Sequence, residues 1–304
     1  MLFAHTGTHC RRLIQAMFKK TVKALGIATL FLPSICLAQP LVVSTGIEGG
    51  GYWNAANRLQ TVAADLGLEV QVEASTGSLQ NLARLLDAGD SAALALAQAD
   101  ALRQYLDDHP GASQKIEILE NIGQECVFVV TGSKGAIHSD DDLQQGGDYQ
   151  IAISSPDSGV AVTYQYMTTL VPELAATSVL YTDTAAAMSE FDAADSGAAD
   201  AVMLVHRPKE RSPEVDLALQ NPDRFRFVQI EDERFKSELP NGDAVYRPLK
   251  LAIPVPDSEE RRQVATICVK GLLVANRDKV QAEQRDALGR LINERWMEVY
   301  ATGR

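Results

Sequence analysis

The stretch Leu41-Val-Val-Ser-Thr-Gly-Ile-Glu-Gly-Gly-Gly-Tyr52 joins a short apolar run to a loop of small residues, and Tyr149-Gln-Ile-Ala-Ile-Ser-Ser-Pro-Asp-Ser-Gly159 repeats the plan. Each run is predicted to be a strand whose loop leads into a helix. Each copy continues with a second strand and a buried third strand, at 68–73 and 92–97 in the first copy and at 178–181 and 201–205 in the second. A strand–helix order that occurs twice predicts two α/β lobes with parallel sheets.

The loops that follow these strands are the candidate binding site. Ligands in open α/β sheets lie beyond the carboxyl ends of the strands. Each loop also leads into a helix N-terminus, where unpaired N–H groups favour an anion. Four such termini, two per lobe, can converge on one small carboxylate in a cleft between the lobes. The residues predicted to contact the ligand are Thr45, Gly46, Gly51, Tyr52, Ser75, Thr76, Ser78, Gln98, Ser155, Asp157, Ser158, Gly159, Asp183, Thr184 and Tyr246.

Several of these residues have a second interpretation. Serine and threonine at these places are also the preferred helix N-caps. The acids Glu48, Asp157 and Asp183 can recognise a ligand ammonium group, hold a Ca²⁺ ion or complement a helix dipole. The sequence leaves these alternatives open.

Residues 1–38 have the pattern of a secretory signal peptide. Three lysines, Lys19, Lys20 and Lys23, precede the uncharged run 24–38, which ends in Cys-Leu-Ala. A basic segment, a short apolar core and small residues before the cut are typical of such signals. Cleavage is expected after Ala38, with translation starting at Met1 or Met17. The mature chain is expected in the periplasm, without stable insertion in the membrane.

Two cysteines remain after cleavage, Cys126 and Cys268, each within an apolar run. An even pair in an oxidising compartment predicts a disulfide, and two buried free thiols are the alternative. Because the sequence has no C-x-x-C motif, redox catalysis is disfavoured.

Charge and motifs argue against several classes of function. The net charge is −12, from 40 acidic and 28 basic residues, which disfavours a nucleic-acid partner. The chain has no HExxH, GxGxxG, Walker A or GxSxG motif, so no metal site, cofactor or enzymatic activity is predicted. A monomeric binding protein is expected.

The second lobe is predicted as an insertion in the first. Lobe I is expected to contain 39–123 and 230–304, and lobe II to contain 124–229. The chain would cross between them near 120–130 and 225–235, which makes these stretches hinge candidates.

Several of these motifs resemble those of the TAXI family, the extracytoplasmic solute receptors associated with TRAP transporters. Ser44-Thr-Gly-Ile-Glu-Gly-Gly-Gly-Tyr-Trp53 resembles the glycine-rich opening of that family. The segments 73–82 and 88–98 resemble its next loop, helix and strand, and 153–159 and 197–203 are similar to its second-lobe counterparts. The sequence departs from the family at Glu48 and at His206-Arg-Pro208, where the family has a small or neutral residue and Gly-x-Pro.

The resemblance implies a type II periplasmic-binding-protein fold, with two α/β lobes and a ligand cleft between them. It further implies a receptor that closes on a small organic acid or an amino acid and delivers it to the membrane subunits of a TRAP permease. The alternative is a ligand-sensing periplasmic module that feeds a sensor kinase or another class of transporter. A neighbouring permease gene or kinase gene would distinguish the two.

Overall fold

The computed structural model describes residues 39–145, 149–191, 199–208 and 210–300, so the predicted signal peptide lies outside the described residues. Within these residues, ten strands form one sheet. They are β1 Leu41–Ser44, β2 Val70–Glu73, β3 Ala92–Gln98, β4 Ile116–Gly132, β5 Gln150–Ile153, β6 Ser178–Tyr181, β7 Ala201–His206, β8 Phe225–Phe227, β9 Tyr246–Pro254 and β10 Arg261–Asn276.

Most of the helices lie between successive strands along the chain. The α-helices are α1 Gly51–Ala64, α2 Ser78–Leu86, α3 Ala99–Asp108, α4 Asp140–Gln144, α5 Gly159–Leu170, α6 Thr184–Ser189, α7 Pro213–Gln220, α8 Ala282–Arg290 and α9 Trp296–Tyr300. A π-helical turn, Leu291–Arg295, joins the last two. Among the described residues, no helix is long and apolar enough to cross a membrane.

The strand order of the sheet contains the same arrangement twice. In the first copy the order is β2-β1-β3, all parallel, and β10 follows antiparallel to β3. In the second copy the order is β6-β5-β7, again parallel, and β4 follows antiparallel to β7. This repetition confirms the two α/β lobes that the recurring sequence plan predicts.

The two long strands β4 and β10 pair with each other and connect the two copies. β10 pairs with β3 through 271–275, whereas its earlier part pairs with β9. β4 pairs with β7 through 126–131. We refer to the paired β4 and β10 as the ribbon. The lobe boundaries and the two hinge positions predicted from the sequence remain predictions.

The predicted disulfide joins the two strands of the ribbon. Cys126 and Cys268 are cross-strand partners in the β4–β10 register, and their sulfur atoms are bonded. Both side chains are buried in an apolar cluster that also contains Phe128 and Val264. The disulfide is thereby confirmed, and the alternative of two free thiols is excluded.

Candidate functional site

A cavity of about 600 Å³ lies between the two lobes. One wall is formed by the loop after β1 and the first turns of α1 and α2. The opposite wall is formed by the loop after β5, the first turn of α5 and the segment after β7. A volume of this size suits a small organic ligand.

Three of the four helix N-termini predicted to bind the ligand lie at the cavity wall. The N-caps of α1 and α2 are Gly50 and Gly77, and neither helix is capped by a side chain. Their first-turn N–H groups are therefore free to bind an acceptor from a ligand. The third helix, α5, is capped by Ser158, whose Oγ accepts a hydrogen bond from the N–H of Ala161. The fourth predicted terminus, that of α6, does not line the cavity.

Most of the residues predicted from the sequence lie in the cavity wall. Those from the first lobe and those from the second face each other across the space. The lining includes Gly46, Gly51, Tyr52, Thr76, Ser78, Gln98, Ser155, Ser158 and Gly159.

The other predicted residues lie outside the lining, and most of their side chains are bonded within the protein. Thr45 Oγ1 donates to the carbonyl of Glu73, and Ser75 Oγ donates to the carbonyl of Thr45. Three further side chains make internal bonds: Asp183 caps α6 at Ala186 N–H, Thr184 Oγ1 donates to Glu214 and the hydroxyl of Tyr246 donates to Asp100. Glu48 and Asp157 are exposed.

The two lobes touch directly at the floor of the cavity. The amide of Gln98 lies against the backbone of Gly159, where an added Cβ atom would come within 2.3 Å of Gln98 Oε1. Likewise, a Cβ atom at Gly77 would lie 3.1 Å from the carbonyl oxygen of Asp157. Glycine at these two positions permits the close approach of the lobes.

A buried asparagine holds the first-lobe wall in place. Asn81 of α2 is 0% exposed, and its amide donates to the carbonyl oxygens of Thr45 and Leu96. Its Oδ1 accepts a hydrogen bond from Ser44 Oγ at 2.6 Å. One side chain thus joins the carboxyl ends of β1 and β3 to the helix that follows β2.

The sequence prediction did not include the charged groups of the inner wall. The cavity is also lined by Glu125 of β4 and by His206, Arg207 and Glu210, which lie at and beyond the end of β7. Cys126 and His206 are cross-strand partners, so this pairing brings Glu125 and Arg207 to the same wall. A sequence signal did exist, because Glu125 and Arg207 are charged residues directly beside the apolar runs of β4 and β7.

The surroundings change the proton affinity of these groups. Burial raises the pKa of Glu125 to about 7, against the opposing attraction of Arg207. Its side chain is half-buried and lines the cavity. Burial and the charge of Glu125 raise the pKa of the Tyr52 hydroxyl, and burial lowers the pKa of His206. Near neutral pH the imidazole of His206 is therefore uncharged, and the carboxyl of Glu125 is partly protonated and partly ionised.

Glu125→Gln is expected to stabilise the ligand-free protein by about 3 kcal/mol at pH 8. The folded-state pKa of Glu125 is about 7 and its usual value is 4.5. The native state then binds more protons than the unfolded state, so wild-type stability falls as the pH rises through this window. Chemical unfolding at pH 4 and pH 8 measures the effect. Equal stability of variant and wild type at both values would contradict the prediction, and Glu48→Gln, at an exposed acid, is the control.

No family model matches the sequence, and no curated protein matches it. Solved structures do match. The chain is similar to XAC2383 from Xanthomonas citri bound to ATP, with 10% identity and a TM-score of 0.50, over 86% of this chain and 89% of that one. It is also similar to the substrate binding protein of an amino acid ABC transporter, with 12% identity and a TM-score of 0.45, over 86% and 95% of the two chains.

A further match is the periplasmic domain of BvgS from B. pertussis, with 12% identity and a TM-score of 0.42. The match covers 86% of this chain and only 42% of that one, so the chain spans less than half of the BvgS domain. At such identities a likeness concerns the fold alone. The TM-score of 0.50 and the repeated sheet order together confirm the predicted α/β class: the chain is an α/β protein with two lobes and a ligand-sized cleft between them.

Proposed function

We propose that the protein is a periplasmic solute receptor that closes on a small organic acid or an amino acid. The observation that carries this proposal is the cavity of about 600 Å³, which both lobes line and at which three of the predicted helix N-termini lie. Free N–H groups at two of these termini, those of α1 and α2, suit a ligand carboxylate. The receptor binds its ligand without chemical conversion.

Delivery of the ligand to a TRAP-type permease is the second part of the proposal. It rests on the resemblance of the loop and helix at 44–53 and of the segments 73–82 and 88–98 to the TAXI family. Export to the periplasm rests on the pattern of residues 1–38, and the mature protein is expected to begin at Gln39.

A thermal-shift screen tests the binding function. Mature protein, refolded free of carried ligand, is heated with dicarboxylates, keto acids and amino acids. A ligand at 100 times its Kd adds about 2.7 kcal/mol of stability. For a protein of this size, that raises the Tm by about 5 °C. The absence of a shift with every compound would overturn the proposal.

Bulky residues at the cavity wall are expected to abolish the ligand-induced shift. Ser155 and Thr76 face the cavity from opposite lobes. In Ser155→Trp and Thr76→Trp the indole fills space that the ligand needs, and we expect affinity to fall by about 100-fold or more while stability without ligand changes by less than about 1 kcal/mol. The control is Ser189→Trp, at an exposed position of α6 outside the cavity. Calorimetric titration with the compound identified in the screen measures the loss, and unchanged affinity in both variants would contradict the assignment of the cavity.

A further inference from the structure

A buried donor without a partner lies in the inner wall of the cavity. Nε of Arg207 has no hydrogen-bond partner within the part of the chain that the structure describes. Native proteins pair nearly all such atoms, with protein or with a bound molecule. Arg207 lines the cavity together with Glu125 and Tyr52, whose side chains interact with each other, and we call Tyr52, Glu125 and Arg207 the polar corner. Its orphaned Nε–H indicates a place where a ligand supplies the missing partner.

Arg207 is fixed within the corner by the protein itself. It is 7% exposed, and its guanidinium lies against the backbone of Gly123, where an added Cβ atom would be 3.1 Å from Cζ. Nη2 donates to the carbonyl of Ile122 at 3.1 Å, and Nη1 lies 3.6 Å from a carboxylate oxygen of Glu210. The charge of Arg207 is therefore balanced by Glu210, and the Nε–H remains as a donor for a ligand oxygen.

Glu125 lacks such a balance. Among the described residues it forms no ion pair within 4.0 Å, although Arg207 attracts it electrostatically. The hydroxyl of Tyr52 is close enough for the two groups to shift each other's pKa. An acid in this position attracts a cation that arrives with the ligand.

The other titratable and charged groups around Glu125 belong to several elements of the fold. Besides Tyr52 and Arg207, the titratable and charged groups are Arg58 of α1, Asp100 of α3, His206 and Glu210 beyond β7, and Lys270 of β10, which pairs with Asp243.

We propose that Glu125 is the specificity-determining residue for a cationic nitrogen of the ligand. The nitrogen donates to the Glu125 carboxylate and to the Tyr52 hydroxyl, and a ligand oxygen next to it accepts from Nε of Arg207. The ligand class is thus a small molecule with an ammonium group beside a carboxyl or carbonyl oxygen. This inference rests on the proposed function and assigns the acid that distinguishes an amine-bearing ligand from a plain acid.

Binding at this corner exchanges a proton with solvent. In the empty cavity, burial raises the pKa of Glu125 to about 7, so the carboxyl is largely protonated at pH 6 and largely ionised at pH 8. Only the ionised form pairs with an ammonium group. Affinity for an amine-bearing ligand is therefore expected to fall by about tenfold from pH 8 to pH 6.

The test uses matched pairs of probes. Each L-amino acid is compared by calorimetric titration with the acid that lacks its amino group, at pH 6 and pH 8, on refolded wild type and on Glu125→Gln. We expect one amino acid to bind wild type at least 100-fold more tightly than its deaminated counterpart. In Glu125→Gln this preference falls to less than tenfold, and the affinity for the amino acid becomes the same at pH 6 and pH 8.

Two further variants strengthen the test. Glu48→Gln removes an exposed acid of the neighbouring loop and is expected to keep both the preference and the pH dependence. Tyr52→Phe removes only the hydroxyl and is expected to weaken binding of the amino acid by about fivefold, with little change for the deaminated acid. Circular dichroism confirms that each variant is folded.

The outcomes separate this inference from the proposed function. If the deaminated acids bind as tightly as the amino acids, or if Glu125→Gln keeps the preference, the role of Glu125 is overturned while the receptor function stands. If no compound of either series binds the wild type, the receptor function for small acids and the role of Glu125 are both overturned.

Discussion

Replacing Cys126 and Cys268 together by alanine is expected to lower the free energy of unfolding by about 5 kcal/mol. The bond closes a loop with a sequence separation of 142 residues, so it removes a large amount of chain entropy from the unfolded state. For a protein of this size the loss corresponds to a Tm about 9 °C lower than that of the oxidised wild type. Calorimetry without reductant measures it.

The control for this prediction separates the cross-link from packing. Both cysteines are buried in the cluster around Phe128, so the double variant also loses two sulfur atoms from an apolar core. Wild type that is unfolded, reduced and refolded with reductant keeps those atoms and lacks only the bond. We expect it to be destabilised nearly as much as the double variant. Equal Tm values for the oxidised and reduced proteins would show that the bond adds nothing to stability.

Asn81→Leu is expected to lower the free energy of unfolding by about 3 kcal/mol and to abolish ligand binding. The leucine side chain is similar in size but leaves the carbonyl oxygens of Thr45 and Leu96 and the hydroxyl of Ser44 without the bonds that Asn81 makes. Both carbonyls lie at strand ends that position the cavity loops, so the first-lobe wall should move. Chemical unfolding and calorimetric titration measure the two effects.

The matched control is Asn57→Leu on the neighbouring helix. The amide of Asn57 is only partly buried and donates to one carbonyl of its own helix, that of Trp53. We expect a change of less than about 1 kcal/mol and unaltered binding. A similar loss of stability in both variants would show that the buried hydrogen bonds of Asn81 stabilise the protein no more than the single bond of Asn57.

The repeated part of the fold follows from local sequence patterns. β1 at Leu41–Ser44 and β6 at Ser178–Tyr181 have the predicted bounds, because an apolar run ends at a polar or glycine-rich loop in each case. β3 is buried along its whole length, as its continuous apolar sequence indicates. The last helix also follows a local pattern, because Leu288 and Leu291 form its buried side, and only the π-helical turn interrupts it.

The ribbon could not be predicted in the same way. β4 begins with the mixed sequence Ile-Glu-Ile-Leu-Glu-Asn, and β10 is compatible with a strand or a helix when read alone. Their length is set by partners on both sides, and those partners are distant in the sequence. The pattern of one segment carries no information about such pairing.

The same reason explains what the site prediction lacked. Loop residues such as Thr76 and Ser158 were predicted because small residues at helix N-termini have a local signature. Glu125 and Arg207 act together only because β4 lies beside β7 in the sheet. Each is marked in the sequence only as a charged residue beside an apolar run, and local periodicity does not reveal that the two strands are neighbours.

The cross-link between the two strands of the ribbon also limits how the lobes can move. Cys126 and Cys268 are bonded at facing positions, so β4 and β10 cannot shear along each other. The irregular register beside Gly271 and between Leu273 and Val274 leaves local freedom to bend and twist. The disulfide therefore fixes the register of the ribbon at one point, and Glu125, the residue before Cys126, lies beside that point.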